Sequence, residues 1–110
     1  MRGESDEVIE AAIRVNTHGR YLLRSTRSQV VIVGFHGYGE DADIQMSRLA
    51  GIPSAAHCTL VSIQGLHRFY QRRTNQVVAS WMTRQDRELA ISDNRDYVAA
   101  VLMRAVKDWA

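Results

Sequence analysis

The stretch Val30-Val31-Ile32-Val33-Gly34-Phe35-His36-Gly37-Tyr38-Gly39-Glu40-Asp41 decides the fold. It opens as a β-branched apolar run with no polar break, the pattern of a strand covered on both faces in a parallel sheet. It then breaks at His36-Gly37-Tyr38-Gly39, where two glycines flank an aromatic residue. Glycine reaches backbone conformations closed to other residues and lets a second group approach the main chain closely. A buried strand ending in such a turn presents bare N–H groups at the carboxyl edge of a sheet, where open α/β folds bind their ligands.

Downstream, Asp41 or Asp43 caps a short helix running to about residue 50, because an Asp carboxylate accepts the free N–H groups of a first turn. Gly51 and Pro53 stop it. Thr59 to Ile63 reads as the next strand and ends at Gln64-Gly65. Residues 65–76 are polar, basic and aromatic and read as a long loop, with a short strand within Val77 to Met82. A helix is expected from Ser92 or Asp93 to Asp108. Its apolar stripe is Val98, Val101, Leu102, Ala105 and Trp109, with Asp93 and Asp96 in the first turn and Lys107 in the last.

Upstream, the simplest reading is an antiparallel hairpin with strands near 12–17 and 20–25, turning at His18-Gly19. Residues 1–10 are expected to be flexible. Strands alternating with helices argue for an α/β fold with a mainly parallel sheet and flanking helices.

At 110 residues the chain fits one domain. A chain of this size buries roughly 60–70% of its unfolded surface, enough for one modest core. The formal charge of +2 is too small an excess to imply nucleic acid, and the basic residues are scattered apart from Arg68, Arg72 and Arg73. The single cysteine, Cys58, allows no internal disulfide and favours a reducing compartment. No apolar run approaches the roughly 20 residues of a membrane span, and the N-terminus has no signal-peptide core, so the expected location is cytoplasmic.

Taken together, these features resemble the N-terminal half of an α/β-hydrolase, closest to phospholipase/carboxylesterase and polyhydroxybutyrate-depolymerase-like esterases. The resemblance rests on the opening hairpin, the buried strand ending in His36-Gly37-Tyr38-Gly39, and the acidic helix start at Glu40-Asp41. It continues through Gln64-Gly65-Leu66-His67, Ser80-Trp81-Met82 and the helix entry from Asp93 to Tyr97-Val98. It covers about residues 12 to 108, and only about half of the family's domain. It implies a serine carboxylic-ester hydrolase acting on a small-molecule ester, without cofactor. The N–H after His-Gly, here that of Tyr38, would help form the oxyanion hole, with a second N–H from the residue after the nucleophile. Gly37 and Gly39 would shape the substrate side of the turn, and His67 would line the acyl pocket, the alternative reading of residues 66–70 being a surface loop pinned by its aromatics. His36 would be a structural residue of the turn.

The chain departs from that pattern in one large respect. No Gly-x-Ser-x-Gly nucleophile elbow occurs, and the triad acid and histidine that would follow it are absent too. The 110 residues are therefore expected to form a partial domain, inactive alone. In the resembled fold the elbow strand lies beside the strand corresponding to 30–35. That strand is therefore expected to be a sheet edge, so that the chain dimerises through it, is completed by another segment, or is only marginally stable.

The second reading is a small non-catalytic α/β module that binds a partner or anion at the glycine turn. Other candidates read as structural. His18, His36, His57 and His67 lack the spaced partners of a zinc site, so no metal is expected. Cys58 lacks elbow glycines and reads as a small buried residue at a strand start. Ser80 precedes no helix-starting turn. Trp81 reads as core, Asp93 as a helix cap, and Arg68, Arg72 and Arg73 as a solvated loop.

Overall fold

A computed structural model describes residues 6–109. The elements in chain order are β1 (Tyr21–Arg24), β2 (Val31–Phe35), α1 (Ala42–Ala50), a 3-10 turn (Pro53–Ala55), β3 (Thr59–Ile63), β4 (His67–Tyr70), β5 (Val77–Ser80) and α2 (Arg87–Trp109). Three strands form one sheet in the order β1-β3-β2, and β4 and β5 form a separate two-stranded sheet.

The period of two along each strand sorts the side chains into two layers. On one face Ile32 of β2 and Leu60 of β3 pack with Leu49 of α1, Ala55 and Met46. Ser62 on the same face donates its hydroxyl to the Ala42 carbonyl at the start of α1 (2.7 Å). On the other face Val61 and Ile63 pack with Val101 and Ala105 of α2, joined by Tyr21, Leu23, Val31 and Val33. The sheet is thus sandwiched between α1 and α2. Gly34 permits the close approach of α1, since a Cβ there would lie 2.8 Å from Leu49 Cδ1 and 2.9 Å from Gln45 Cγ.

Several expectations are corrected. The sheet is not mostly parallel: β2 and β3 run parallel, but β1–β3 and β4–β5 are antiparallel. There is no opening hairpin, because residues 6–20 hold no regular structure and β1 pairs instead with β3, Tyr21 opposite Ile63. Gly19 does not turn a hairpin. It lies under the ring of Tyr97, where a Cβ would be 2.1 Å from Cε1. Residues 65–76 are not one loop, because β4 folds back on β5 with His67 opposite Ser80. Only the Gln71–Gln76 tip turns there, with Asn75 in the left-handed region at φ 56°.

The last helix begins at Arg87, so Asp93 lies inside it and caps nothing. Asp86, left-handed at φ 54°, supplies the carbonyl that accepts the Ala90 N–H. Of the expected flexible stretch, residues 1–5 lie outside the described residues. Cys58 precedes β3 and is half-buried beside Leu49 and Leu60.

The strand buried from every side is β3, not β2. All five β3 residues are buried, because it has a strand on each flank and a helix on each face. Helices also cover both faces of β2, but one flank is open, and its burial is correspondingly partial. Among the described residues no helix is long and apolar enough to cross a membrane.

Ile63 sits at the centre of the larger cluster, fully buried. Truncation of Ile63 to Ala should cost about 2–5 kcal/mol, a large share of the stability of a domain this size. Urea denaturation of the Ile63→Ala chain checks this, with Ile9→Ala, 85% exposed, as a control expected within about 0.5 kcal/mol of the parent.

Candidate functional site

Because β2 and β3 are parallel, their carboxyl ends emerge on the same side of the sheet. There β2 runs into His36-Gly37-Tyr38-Gly39 and β3 into Gln64-Gly65. The buried imidazole of His36 joins the two. Its Nε2 accepts the Gly65 N–H at 2.9 Å, and its Nδ1 lies 2.7 Å from the Gly37 carbonyl. A carbonyl only accepts and an amide only donates, so these partners require the neutral ring with its proton on Nδ1. The indole of Trp81 closes the group by donating Nε1–H to the His36 carbonyl (3.0 Å), and its ring packs on Phe35, His36 and Tyr97.

Residues 37–40 form a β-turn. The Glu40 N–H donates to the Gly37 carbonyl (3.2 Å), and Gly39 occupies the third position with φ 73°. A positive φ at that position is the mark of a type II turn and the reason for glycine there. The Glu40 side chain reaches back to accept the Gly37 N–H on Oε1 (2.7 Å), the same reciprocal pairing a capping box uses. Arg48 of α1 holds that carboxylate with two parallel bonds, Nη1 to Oε1 at 2.8 Å and Nη2 to Oε2 at 2.5 Å. Gly39 and Glu40 also exchange backbone bonds with Ala79 of β5, which pins the turn to the second sheet.

Gly37 N–H goes to Glu40, Gly39 N–H to the Ala79 carbonyl (3.0 Å), and Glu40 N–H to Gly37. Among the described residues the Tyr38 N–H has no hydrogen-bond partner. The second residue of a β-turn uses neither end of the turn's own bond, so its amide faces outward. Tyr38 is 77% exposed, and its ring leans on that of Phe69, 5.5 Å between centroids. This is one rigidly held, outward donor at the carboxyl edge of a parallel strand pair.

Helix α1 starts immediately after the turn. Asp41 caps it as expected, accepting the Ile44 N–H on Oδ1 at 2.9 Å. The Ala42 N–H donates to Gln64 Oε1 (3.3 Å), which also receives Arg20 Nη1 (2.8 Å). Asp43 pairs with Arg20 at 2.9 Å, and that hydrogen bond holds its carboxyl below the ordinary range.

The expected site residues are only partly brought together. Gly37, Tyr38 and Gly39 share the turn. His67 lies apart from it, exposed on β4, and lines a cavity of about 510 Å³ with residues 13–17, Gly19, Leu66 and the Asp93, Asp96 and Tyr97 side of α2. Tyr38 does not line that cavity. Ser80 is buried at the end of β5, and its hydroxyl lies 3.5 Å from the Met82 carbonyl. Among the described residues no three His, Cys, Asp or Glu side chains are grouped to hold a metal ion. The sequence reading missed the Glu40–Arg48 clamp, the Gln64 hub and the His36–Gly65 bond. Only the Gly37-to-Glu40 spacing of three signalled any of them.

No family model, curated protein or solved structure matches the chain.

Two predictions follow from the geometry. Hydrogen bonding to Arg48, then to the Gly37 N–H, pulls the Glu40 carboxyl down from 4.5 to about 2. A lowered folded-state pKa contributes stability above 4.5 that is lost as pH falls toward about 2. The Gly37 amide shift of the folded chain should therefore titrate with a midpoint near 2, and Glu40→Gln should abolish that titration. At Gly65 a Cβ would sit 2.5 Å from the Ser80 carbonyl oxygen. Gly65→Ala should thus destabilise by about 1–3 kcal/mol, read from the shift in urea midpoint.

Proposed function

We propose that this chain is the N-terminal part of an α/β-hydrolase-type serine esterase, with the Tyr38 N–H as one donor of its oxyanion hole. The single observation that carries this reading is the unpartnered Tyr38 amide in a turn whose neighbouring amides are all satisfied. In acyl transfer a carbonyl oxygen takes on negative charge as the tetrahedral intermediate forms. A fixed N–H dipole stabilises that charge without reorganising, and losing one such donor costs about 3–4 kcal/mol of barrier stabilisation.

Three further features support the reading. The turn lies between a parallel strand and a helix, the context in which esterases of this kind place the donor. His36 is buried and hydrogen-bonded through both ring nitrogens, which suits a residue that fixes the turn and not a triad base. The open flank of β2 is where the elbow strand of the resembled fold would add. The nucleophile, its acid and base, and the second donor are not in this sequence, so the chain alone should be inactive.

The test has two arms. Titration of the ¹⁵N-labelled chain with an alkylphosphonate monoester, a tetrahedral oxyanion, should move the Tyr38 amide more than Gly37, Gly39 or any α1 amide. No movement at Tyr38 under saturation would overturn the donor assignment. The reading frame after codon 110 should encode Gly-x-Ser-x-Gly within about 20 residues, room for one loop and one strand. A stop codon there, with the Tyr38 response intact, would instead favour a non-catalytic anion-binding module. Turnover of p-nitrophenyl acetate by the chain alone, abolished by a fluorophosphonate, would contradict the expected inactivity.

A further inference from the structure

The peptide group joining Gln64 to Gly65 is gripped at both ends. Its N–H donates to His36 Nε2 at 2.9 Å, and its carbonyl accepts the Tyr97 hydroxyl of α2 at 2.7 Å. The N–H and C=O of a trans peptide point in opposite directions, so the imidazole and the phenol stand on opposite sides of it. His36 and Gln64 are each 3% exposed, and Gly65 is buried, so water cannot stand in for either partner.

The grip on the N–H holds only while Nε2 keeps its lone pair. Nδ1 already carries the ring proton toward the Gly37 carbonyl. A second proton turns Nε2 into a donor, and it then meets the Gly65 N–H, donor against donor. Leaving a buried amide without an acceptor is costly. Rotating this one peptide unit by half a turn restores every bond. The Gln64 carbonyl comes round to accept Nε2–H. The Gly65 N–H comes round to the Tyr97 oxygen, which has lone pairs to accept it. The Tyr97 hydrogen passes to the Arg20 carbonyl, already 3.2 Å from the same oxygen. The change in φ falls on residue 65, where glycine accepts either sense.

The charged and titratable groups around the ring come from several elements. Glu40 acts on it across the turn, and hydrogen bonding to Arg48 of α1, then to the Gly37 N–H, holds that carboxyl at about 2. Glu40 is therefore ionised wherever imidazoles titrate and favours the charged ring, while Arg48 opposes it. Arg20 binds the Gln64 side chain and pairs with Asp43. Burial pushes the Tyr97 phenol up, against the pull of Arg68 on β4, so its hydroxyl keeps its proton. Trp81, which packs on the imidazole, carries no charge.

We infer that the Gln64–Gly65 peptide is a proton-driven switch. It turns its N–H to His36 when the imidazole is neutral and its carbonyl to His36 when the imidazole is charged. The bistable element and the charge that biases it both lie inside this edge of the sheet. Leu66 and His67 follow the peptide and, with Tyr97, line the cavity of about 510 Å³, so the cavity wall responds to the proton. The switch holds whether or not the chain belongs to an esterase.

NMR of the ¹⁵N,¹³C-labelled chain from about pH 8 to about pH 5, the range in which imidazoles titrate, tests this. His36 Nε2 should pass from the shift of an unprotonated ring nitrogen to that of a protonated one. The Gly65 amide and the Gln64 carbonyl carbon should move with the same midpoint. The NOE from the Gly65 N–H to the His36 ring should give way to one to the Tyr97 ring, while the Ile63 and Val101 amides stay in place. His36→Gln keeps an acceptor for the Gly65 N–H and cannot titrate, so its Gly65 signal should be independent of pH. An Nε2 that stays unprotonated down to about pH 5 would overturn the inference. So would a protonated ring with the Gly65 NOE unchanged, loss of the Ile63 signal in step with His36, or the wild-type Gly65 titration persisting in His36→Gln. If the His36→Gln chain does not fold, the wild-type titration alone decides.

Discussion

The imidazole of His36 is the tie on which the carboxyl edge of the sheet depends. It is buried where two parallel strands end, and it donates to one loop while accepting from the other. Neither loop has regular structure to fix it, and buried amides without partners are costly, of order 1–3 kcal/mol each. With the ring in place, Gly37 and Gly65 are tied together through it, and Trp81 packs on the imidazole. The turn can then close through Glu40, and the Arg48 clamp couples it to α1. The orientation of the Tyr38 amide is the end product of this sequence of constraints.

The same arrangement explains the uneven burial of the sheet. Strand β3 is enclosed because its neighbours on both flanks are present, whereas β2 has apolar cover above and below and a strand on one flank only. Two layers of helix commit the strand to an apolar composition. A radius of gyration of 18.1 Å, against about 13 Å for a compact chain of this length, reflects the extended segment 6–20 and the long α2.

What the sequence revealed follows from how local each signal was. The strand–turn–helix unit from Val31 to Ala50 was legible because its β-branched run, Gly39 and the Asp41 cap act within a few residues of one another. Strand β3 was legible for the same reason. The partner of β1 was not, since Tyr21 meets Ile63 only through tertiary packing. In β4 the alternation of His67, Arg68, Phe69 and Tyr70 hides a strand inside what looks like a polar loop. Helix α2 starts early because Asp86 takes a left-handed conformation that no neighbouring residue announces. At the site, Glu40 and Arg48 stand eight residues apart, outside the spacings that pair side chains on one helix, so the clamp was invisible until the turn was folded.

Central to the carboxyl edge of the sheet is the Tyr38 amide, outward and unbonded while its neighbours are locked. Amide hydrogen exchange on the intact chain tests this most directly. Tyr38 should exchange at close to the rate of an unstructured amide, with Gly37, Gly39, Glu40 and Gly65 all strongly slowed. Protection of Tyr38 equal to that of its neighbours, or fast exchange at Gly65, would contradict the account.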